Sequence, residues 1–166
     1  MFVPALVGTL KGEIMANKEG KRFEEDFSKS VPEEWAFIRL KDAGGWSNGS
    51  NTRFTIHNVC DFLLFTGRVL FLLEMKSHLG VSIPRSNFRQ LEDMKKYANK
   101  KNCQQYFILN FRDYNETYLM NLSDIEKCFQ SRKSIPLSLC REKGVKLPQT
   151  LKRVRYRYDL SKFNIL

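Results

Sequence analysis

Residues 58–76 read NVCDFLLFTGRVLFLLEMK, and this stretch decides the fold. Two apolar runs rich in Val, Leu and Phe flank a short segment centred on Gly67, a pattern typical of two buried strands joined by a tight turn. Asp61 opens the first strand, and Glu74 and Lys76 close the second. An antiparallel hairpin brings the start of one strand beside the end of the next, and residues two apart share a face. We therefore expect these three side chains to meet at one edge of the sheet.

Two carboxylates and an ammonium group in this arrangement suit phosphodiester hydrolysis. Carboxylate oxygens are ligands for a hard cation such as Mg²⁺, and a bound cation acidifies a water molecule beside a phosphate. A lysine next to it can orient that water and stabilise the charge that develops on the phosphorus. The alternative is a strand that ends in solvated charges, with Glu74 and Lys76 paired at the surface. The bare pattern leaves both interpretations open.

The composition indicates a globular domain with a polyanionic partner. The chain has 166 residues, of which 42% are hydrophobic and 13% aromatic, enough for one domain with its own core. Its 28 Lys and Arg against 18 Asp and Glu give a net charge of +10, which favours nucleic acid as the partner. Charge alone leaves open a nuclease, a passive binding protein or a membrane-surface protein. No apolar run approaches the roughly 20 residues of a membrane-spanning helix, so no membrane partner is predicted.

The cysteines predict a reducing compartment, and the histidines bear on the type of metal site. No two of the four cysteines form a C-x-x-C pair, and isolated cysteines in an intracellular chain are usually buried thiols. We therefore expect a cytoplasmic protein without disulfides or structural zinc. The two histidines are too few for a histidine-based metal site. The cysteines are Cys60, Cys103, Cys128 and Cys140.

The chain divides into a short extension and one domain. Residues 1–16 are predicted to be an N-terminal extension that the fold does not need, because Met15 offers a second start. Residues 17–166 form the single domain, with elements in the order helix, strand, hairpin, helix, strand, strand and helix. This order predicts a mixed α/β fold in which a central sheet is flanked by helices.

Residues 41–52 are dense in Gly, Ser and Asn and are predicted to form a flexible loop. Trp46 in this loop and Arg53 just after it are candidate DNA contacts, since an aromatic ring can stack on a base. The alternative is a surface loop whose tryptophan packs back onto the domain. Arg85, at the end of the loop that follows the hairpin, is a further candidate DNA contact.

The carboxy-terminal region is strongly basic. Residues 152–158 read KRVRYRY, so a strand there places Arg153, Arg155 and Arg157 on one face. Contact with DNA phosphates is one interpretation of this face. The other is an edge strand that its charges protect from aggregation. The net charge of the chain favours phosphate contact.

Four segments in the same order resemble the RecU-type Holliday-junction resolvases, a family of the PD-(D/E)-x-K nuclease superfamily. Glu74 lies 13 positions after Asp61 and begins the triplet Glu-x-Lys. The other segments are GKRFE at residues 20–24, NFRQLEDM at residues 87–94 and IPLSL at residues 135–139. The similarity runs discontinuously from about residue 20 to residue 163.

Three departures from the family pattern accompany this resemblance. Cys60 stands where the family usually has a Thr before its first acid. Residues 41–56 look shorter than the stalk with which the family enters the centre of a junction. Residues 141–151 look like an insertion. Such differences are typical of a phage or mobile-element relative.

The resemblance implies a restriction-endonuclease-like core with a metal-dependent active site. By this resemblance, Asp61 and Glu74 hold Mg²⁺, or Mn²⁺ as a substitute, and the Met75 carbonyl completes the metal shell. Lys76 orients the attacking water and stabilises the pentavalent phosphate. Glu24 assists through a second metal or a water. Gln90 contacts a metal-bound water or the scissile phosphate.

The resemblance also implies a homodimer that resolves four-way DNA junctions by paired symmetric nicks in recombination and repair. Two alternatives stay open. One is another nuclease of the same fold that cuts duplex or branched DNA without regard to four-way structure. The other is a non-catalytic basic DNA-binding protein whose acidic cluster is structural. Dependence of cutting on branch geometry tests the first, and binding in a chelator without any Mg²⁺-dependent product would identify the second.

Overall fold

The computed structural model describes residues 18–40 and 58–166, and a six-stranded sheet lies at its centre. The strands of this sheet are β1 (Ala36–Arg39), β2 (Phe62–Phe65), β3 (Leu70–His78), β5 (Cys103–Phe111), β6 (Glu116–Asn121) and β8 (Val145–Lys146). They lie in the order β1-β2-β3-β5-β6-β8. β3 and β5 run parallel, and the other neighbours pair antiparallel, so the sheet is mixed.

Helices and two small sheets surround the central sheet. The helices are α1 (residues 18–28), α2 (Leu91–Lys95), α3 (Leu122–Ser131) and α4 (Leu137–Lys143). β4 (Ser82–Pro84) pairs with β7 (Ser134–Pro136), and β9 (Gln149–Lys152) pairs with β10 (Arg155–Tyr158). Short 3₁₀ helices lie at Arg85–Asn87, Arg112–Tyr114 and Ser161–Asn164.

β3 separates two hydrophobic cores, because successive side chains of a strand point to opposite faces. Leu73 belongs to the core that contains Phe27 of α1. Leu72 belongs to the core that contains Met94 of α2. Both faces of β3 are therefore covered, which explains its long apolar run. Glu74 lies two residues after Leu72 and points to the α2 side of the sheet.

The predicted hairpin is confirmed. β2 and β3 pair antiparallel with Phe62 opposite Leu73. The amide of Thr66 donates to the carbonyl of Val69 at 3.3 Å and closes the turn. Gly67 adopts a φ of +90°, where a side chain is strained, so the turn requires glycine. The mixed α/β fold with flanking helices is confirmed as well.

Two predicted helices differ in how they begin. Ser86 and Asn87 are capping residues that predict a helix start, but the structure has a 3₁₀ turn at Arg85–Asn87, followed by the short α2. Residues 123–126 resemble a capping box and predict a helix start at Ser123, but α3 starts after Asn121. The Asn121 side chain accepts a hydrogen bond from the Ser123 amide at 2.8 Å, which satisfies one of the unpaired donors of the first turn.

Several elements from residue 77 onward were not predicted. Residues 77–85 were expected to be a loop, yet they contain the end of β3 and the strand β4. Helix α4 was not foreseen either. The single strand expected at residues 152–158 is wrong, because β9 and β10 form a hairpin with Arg153 in its turn at a φ of +56°. Arg153 therefore does not share a strand face with Arg155 and Arg157.

Some predictions concern residues outside the described ranges, namely the extension at residues 1–16, the loop at residues 41–52, Trp46 and Arg53. Within residues 18–40 and 58–166, none of the helices is both long enough and apolar enough to cross a membrane. All four cysteines are free thiols.

Candidate active site

The hairpin register brings Asp61 beside Glu74. Phe62 pairs with Leu73, so the next position along each strand sets the two carboxylates side by side. The main chain of Asp61 is held on both sides, because its amide donates to Leu73 O at 3.1 Å and its carbonyl accepts from the Leu40 amide at 2.9 Å. The acid is thus fixed between β1 and β3.

The Asp61 side chain is oriented by the backbone of β3. Its Oδ2 accepts a hydrogen bond from the Met75 amide at 2.7 Å. An amide donor favours the ionised form of a carboxylate. The contact places the Met75 main chain at the site, although it is the Met75 amide, and not the carbonyl predicted as a ligand, that touches Asp61.

Glu74 places a carboxyl group in the protein interior. Its exposure is 0%. Lys76 Nζ lies 2.5 Å from Glu74 Oε1, while Oε2 accepts no hydrogen bond from any described residue. Burial first, and the neighbouring charge of Asp61 second, raise the pKa of Glu74 to about 8, against the lowering effect of Lys76. The fold by itself therefore does not compensate the charge of an ionised Glu74, and the metal-free site keeps a proton on this carboxyl group at neutral pH.

The neighbouring thiol contributes no charge to the site. Burial, and then the charges of Glu74 and Asp61, raise the pKa of Cys60 to about 12, so this thiol stays neutral at physiological pH. Its Sγ donates to Phe62 O at 3.3 Å. Cys60 thus lines the site as a buried, neutral side chain. It is not expected to bind the metal, because a neutral thiol is a poor ligand for a hard cation.

The donor set of the site fits Mg²⁺. The described residues contain no cluster of three or more His, Cys, Asp and Glu, which is the arrangement of a metal cage made of protein side chains. Mg²⁺ instead favours one or two carboxylates together with water and substrate phosphates. The buried Glu74 Oε2 without a donor is the position at which a cation would restore the charge balance.

Glu24 lies on α1 and pairs with Arg39 at the edge strand β1. Arg39 is opposite Phe62 in the sheet, and its guanidinium lies 6.0 Å from the centre of the Phe62 ring. Phe62 directly follows Asp61. The structure therefore brings Glu24 to the same end of the hairpin as the carboxylate pair, and its catalytic role stays a prediction.

Gln90 occupies the residue before α2, on the same side of the sheet as Glu74. Its Oε1 is buried and accepts no hydrogen bond from a described residue. Buried amide oxygens are nearly always paired in native proteins, so this one is suited to accept a hydrogen bond from water. The predicted contact with a metal-bound water agrees with this chemistry and stays a prediction.

The candidate DNA contacts differ in how the fold uses them. Arg85 donates to Phe129 O at 3.1 Å and lies 5.2 Å from the Phe129 ring centre, so it folds onto α3. Arg157 donates to Tyr156 O at 2.8 Å. The remaining two candidates are Arg155, which forms ion pairs with Asp26 and Glu25, and Arg153, which is exposed in the turn between β9 and β10.

Sequence reasoning missed a buried polar chain that begins at the residue after Lys76. Ser77 donates to Asn110 at 3.1 Å, Asn110 donates to Thr117 at 2.9 Å, and Thr117 donates to Gln149 at 2.7 Å. Arg112 follows the same strand β5 and was missed too. The sequence feature that could have identified Arg112 is its position just after β5, because the carboxyl ends of parallel strands often border binding sites.

Comparisons with known proteins identify relatives of this chain. A family model described as RecU, Recombination protein U, matches residues 48–160, which is more than half of the chain. The SPbeta prophage-derived uncharacterized protein YotM of Bacillus subtilis (strain 168) is 28% identical over 167 aligned positions, covering 89% of this chain and 85% of that protein. The structure of Archaeoglobus fulgidus Hjc, a Holliday junction resolvase from an archaeal hyperthermophile, superimposes with a TM-score of 0.52 at 18% identity. That match covers 76% of this chain and 95% of the other, so the two share a fold.

Proposed function

Because the chain belongs to the Recombination protein U family, we propose that it is a metal-dependent endonuclease that resolves four-way DNA junctions. The observation that carries this proposal is the carboxylate pair Asp61 and Glu74, with Lys76 in contact with Glu74. The fold shared with a Holliday junction resolvase and the net charge of +10 support the same function. The prophage relative supports a phage or other mobile element as the origin of the chain.

In this proposal Asp61, Glu74 and the Met75 carbonyl would hold Mg²⁺ or Mn²⁺. The cation supplies an acidified water molecule and neutralises charge on the scissile phosphate. Lys76 orients the attacking water and stabilises the charge that builds up on the phosphate oxygens. Gln90 accepts a hydrogen bond from that water. The buried position of Glu74 keeps bulk water away from its carboxylate and so strengthens its electrostatic effect.

The proposed enzyme is a cytoplasmic homodimer that acts in DNA recombination and repair. Two copies related by two-fold symmetry present two active sites to the two strands of like polarity in a junction. Paired nicks then release two duplexes. Glu24, at the same end of the hairpin as Asp61, assists through a second metal ion or a water molecule.

The proposal is tested by incubating a labelled four-way junction and a linear duplex of the same sequence with the protein, in Mg²⁺ and in EDTA. We expect symmetric nicks in the junction alone, and only with Mg²⁺. Asp61→Asn removes a metal ligand without adding bulk, so it should abolish cutting and preserve binding. The matched control is Asp93→Asn, which loses an aspartate paired with Lys96 on the surface and should cut normally.

Each contrary outcome would indicate a different function for this protein. Equal cutting of the junction and the linear duplex would retain the nuclease and reject junction specificity. Tight binding in both Mg²⁺ and EDTA, without any product, would identify a non-catalytic DNA-binding protein. Normal cutting by Asp61→Asn would reject the active site itself.

A further inference from the structure

A groove runs between α1 and the β9–β10 hairpin, on the face of the sheet opposite Glu74. It consists of two adjoining depressions with volumes of about 390 Å³ and about 440 Å³, which share Arg22 and Val154 in their walls. The depression of about 390 Å³ reaches Ser77 of β3 and Arg112 after β5. We call this feature the α1–hairpin groove.

Basic side chains dominate the α1–hairpin groove. Its acidic residues include Glu25 and Asp26, and Arg155 forms ion pairs with both. Arg155 therefore neutralises these two acids and positions α1 against β10. Among the acidic side chains that the described residues contribute to the groove walls, only Glu19 then remains. Against it stand five basic side chains: Lys18, Lys21, Arg22, Arg112 and Arg153.

Arg112 indicates what the α1–hairpin groove binds. Its Nε is buried and donates no hydrogen bond to any described residue. A buried guanidinium donor without an acceptor is unfavourable, and a phosphate oxygen satisfies it with a charge-assisted hydrogen bond. Arg153 lies exposed in the turn that borders the same depression, and it forms no ion pair within residues 18–40 and 58–166. Two guanidinium groups are thus available to one ligand.

The aromatic rings of the groove favour the DNA backbone over the bases as the ligand. The Tyr156 hydroxyl donates to Asn115 at 2.9 Å, and Tyr158 is buried against Phe23 with ring centres 5.7 Å apart. These two tyrosines already make hydrogen-bond and packing contacts within the protein, which disfavours stacking on DNA bases. The groove is open to solvent along its length and lined by long cationic side chains, which suits an extended polyanion.

We propose that the α1–hairpin groove binds the phosphodiester backbone of a second DNA arm while the active site holds the scissile strand on the other face of β3. This inference rests on the proposed function and names a DNA contact that the active site does not provide. Lys76 and Ser77 are neighbours on β3 with side chains on opposite faces, so one strand connects the two sites. A branched DNA reaches both faces, whereas a straight duplex reaches one.

The test compares two double variants in DNA binding measured in EDTA. Arg112→Gln with Arg153→Gln removes two groove cations. Arg68→Gln with Lys101→Gln removes two exposed cations at the opposite end of β3 and serves as the matched control. Fluorescence anisotropy with a four-way junction and with a linear duplex is recorded between low and moderate salt. Thermal unfolding of each variant verifies that it is folded, and Arg112→Lys with Arg153→Lys tests rescue by retained charge.

We expect the groove variant to lose at least tenfold in junction affinity and to lower the slope of log affinity against log salt by about two, one for each lost phosphate contact. The linear duplex should lose less than the junction, and the lysine variant should recover most of the loss. Junction affinity equal to that of the control variant would overturn the proposal, and so would an equal loss for duplex and junction.

The binding assay separates this inference from the proposed function. If the wild-type protein cuts junctions and the groove variant binds them normally, the groove is rejected and the nuclease stands. If the wild-type protein cuts nothing and the groove variant still loses junction affinity selectively, the groove stands and the nuclease is rejected.

Discussion

Glu74 is an acidic side chain that folding moves from water to a fully buried position. Burial and the charge of Asp61 raise its pKa from an ordinary value of 4.5 to about 8. The folded protein without metal therefore holds a proton on Glu74 over a pH range in which the unfolded chain has already released it. By linkage, the free energy of unfolding of the metal-free protein falls as the pH rises from about 4.5 to about 8.

Glu74→Gln should remove this dependence. At pH 5 the variant and the wild type should be similarly stable in EDTA, because Glu74 is protonated in the folded protein. At pH 8.5 the variant should be more stable by more than about 1 kcal/mol, because it has no charge to bury. Urea denaturation at several pH values measures the difference. A stability difference that does not change with pH would contradict it, and Glu92→Gln on the surface controls for loss of a carboxylate.

The carboxylate pair could be predicted at the residue scale, and the ion pairs could not. Asp61, Glu74 and Lys76 are placed by the period of a strand and the symmetry of a hairpin, which are local rules. The phosphate contact of Arg155 stays a prediction, and the structure adds an ion pair with Asp26 of α1, which is far away in the chain. Such a partner depends on how helix and hairpin pack, and the local pattern carries no information about it.

At the scale of elements, Asp26 fastens α1 to β10. It is 2% exposed, accepts a hydrogen bond from the Tyr156 amide at 3.0 Å and pairs with Arg155. Ser30, just after α1, accepts a further hydrogen bond from the Tyr158 amide at 3.0 Å. These contacts hold the helix and the hairpin that border the α1–hairpin groove.

Asp26→Asn should therefore lower the free energy of unfolding by about 1–3 kcal/mol, because the buried ion pair loses its negative charge while the shape is kept. Glu25→Gln should change it little, since this partner of Arg155 is exposed and surface ion pairs contribute little. Chemical denaturation of both variants at pH 7 makes the comparison. Equal effects would show that the buried carboxylate has no special role.

Gly144 ends α4 against β6, where no side chain fits. An added Cβ would lie 2.5 Å from Cys140 O and 2.8 Å from Met120 Sδ. Gly144→Ala should destabilise the fold by about 1–3 kcal/mol through this overlap. Gly20→Ala is the control, because its Cβ would meet nothing within 4 Å and alanine favours a helix. We expect Gly20→Ala to raise the thermal midpoint and Gly144→Ala to lower it. A rise for both would contradict the overlap.

The elements with strong local patterns were predicted, and the short ones were not. The hairpin strand β3 and the strand β5 both contain continuous apolar runs. β4 and β7 each have three residues and exist because they pair with one another across the chain. β9 and β10 meet at a turn whose Arg153 adopts a left-handed conformation that a glycine usually provides. Local patterns do not reveal pairings of this kind.

At the scale of the whole molecule, the proposed homodimer makes a prediction about nicking. A heterodimer of one wild-type and one Asp61→Asn subunit, purified with two different affinity tags, has one working site. It should nick one strand of a junction and leave the opposite strand intact, because each subunit supplies its own carboxylate pair. Denaturing gels with each strand labelled in turn record the products. Paired nicks from such heterodimers would show that the two sites do not act on separate strands.

The overall architecture could be predicted from the order of helices and strands, whereas the grooves on the surface could not. A mixed sheet with helices on both faces was predicted from alternating helix and strand patterns. Which helix covers which face depends on the packing of two cores on either side of β3. The α1–hairpin groove is formed by this packing of α1 and the β9–β10 hairpin, so local sequence patterns did not predict it.

The position of both carboxylates on one hairpin also bears on how such a protein forms and diversifies. A hairpin assembles from neighbouring residues on the order of microseconds, so its two acids meet before distant parts of the chain need to dock. The register of the hairpin is set by the pairing of β2 with β3, and its turn is closed by the bond between Thr66 and Val69. Under the proposed function, changes elsewhere in the chain would leave the two acids in place while altering which branched DNA is bound. One catalytic unit can in this way serve nucleases with different substrates.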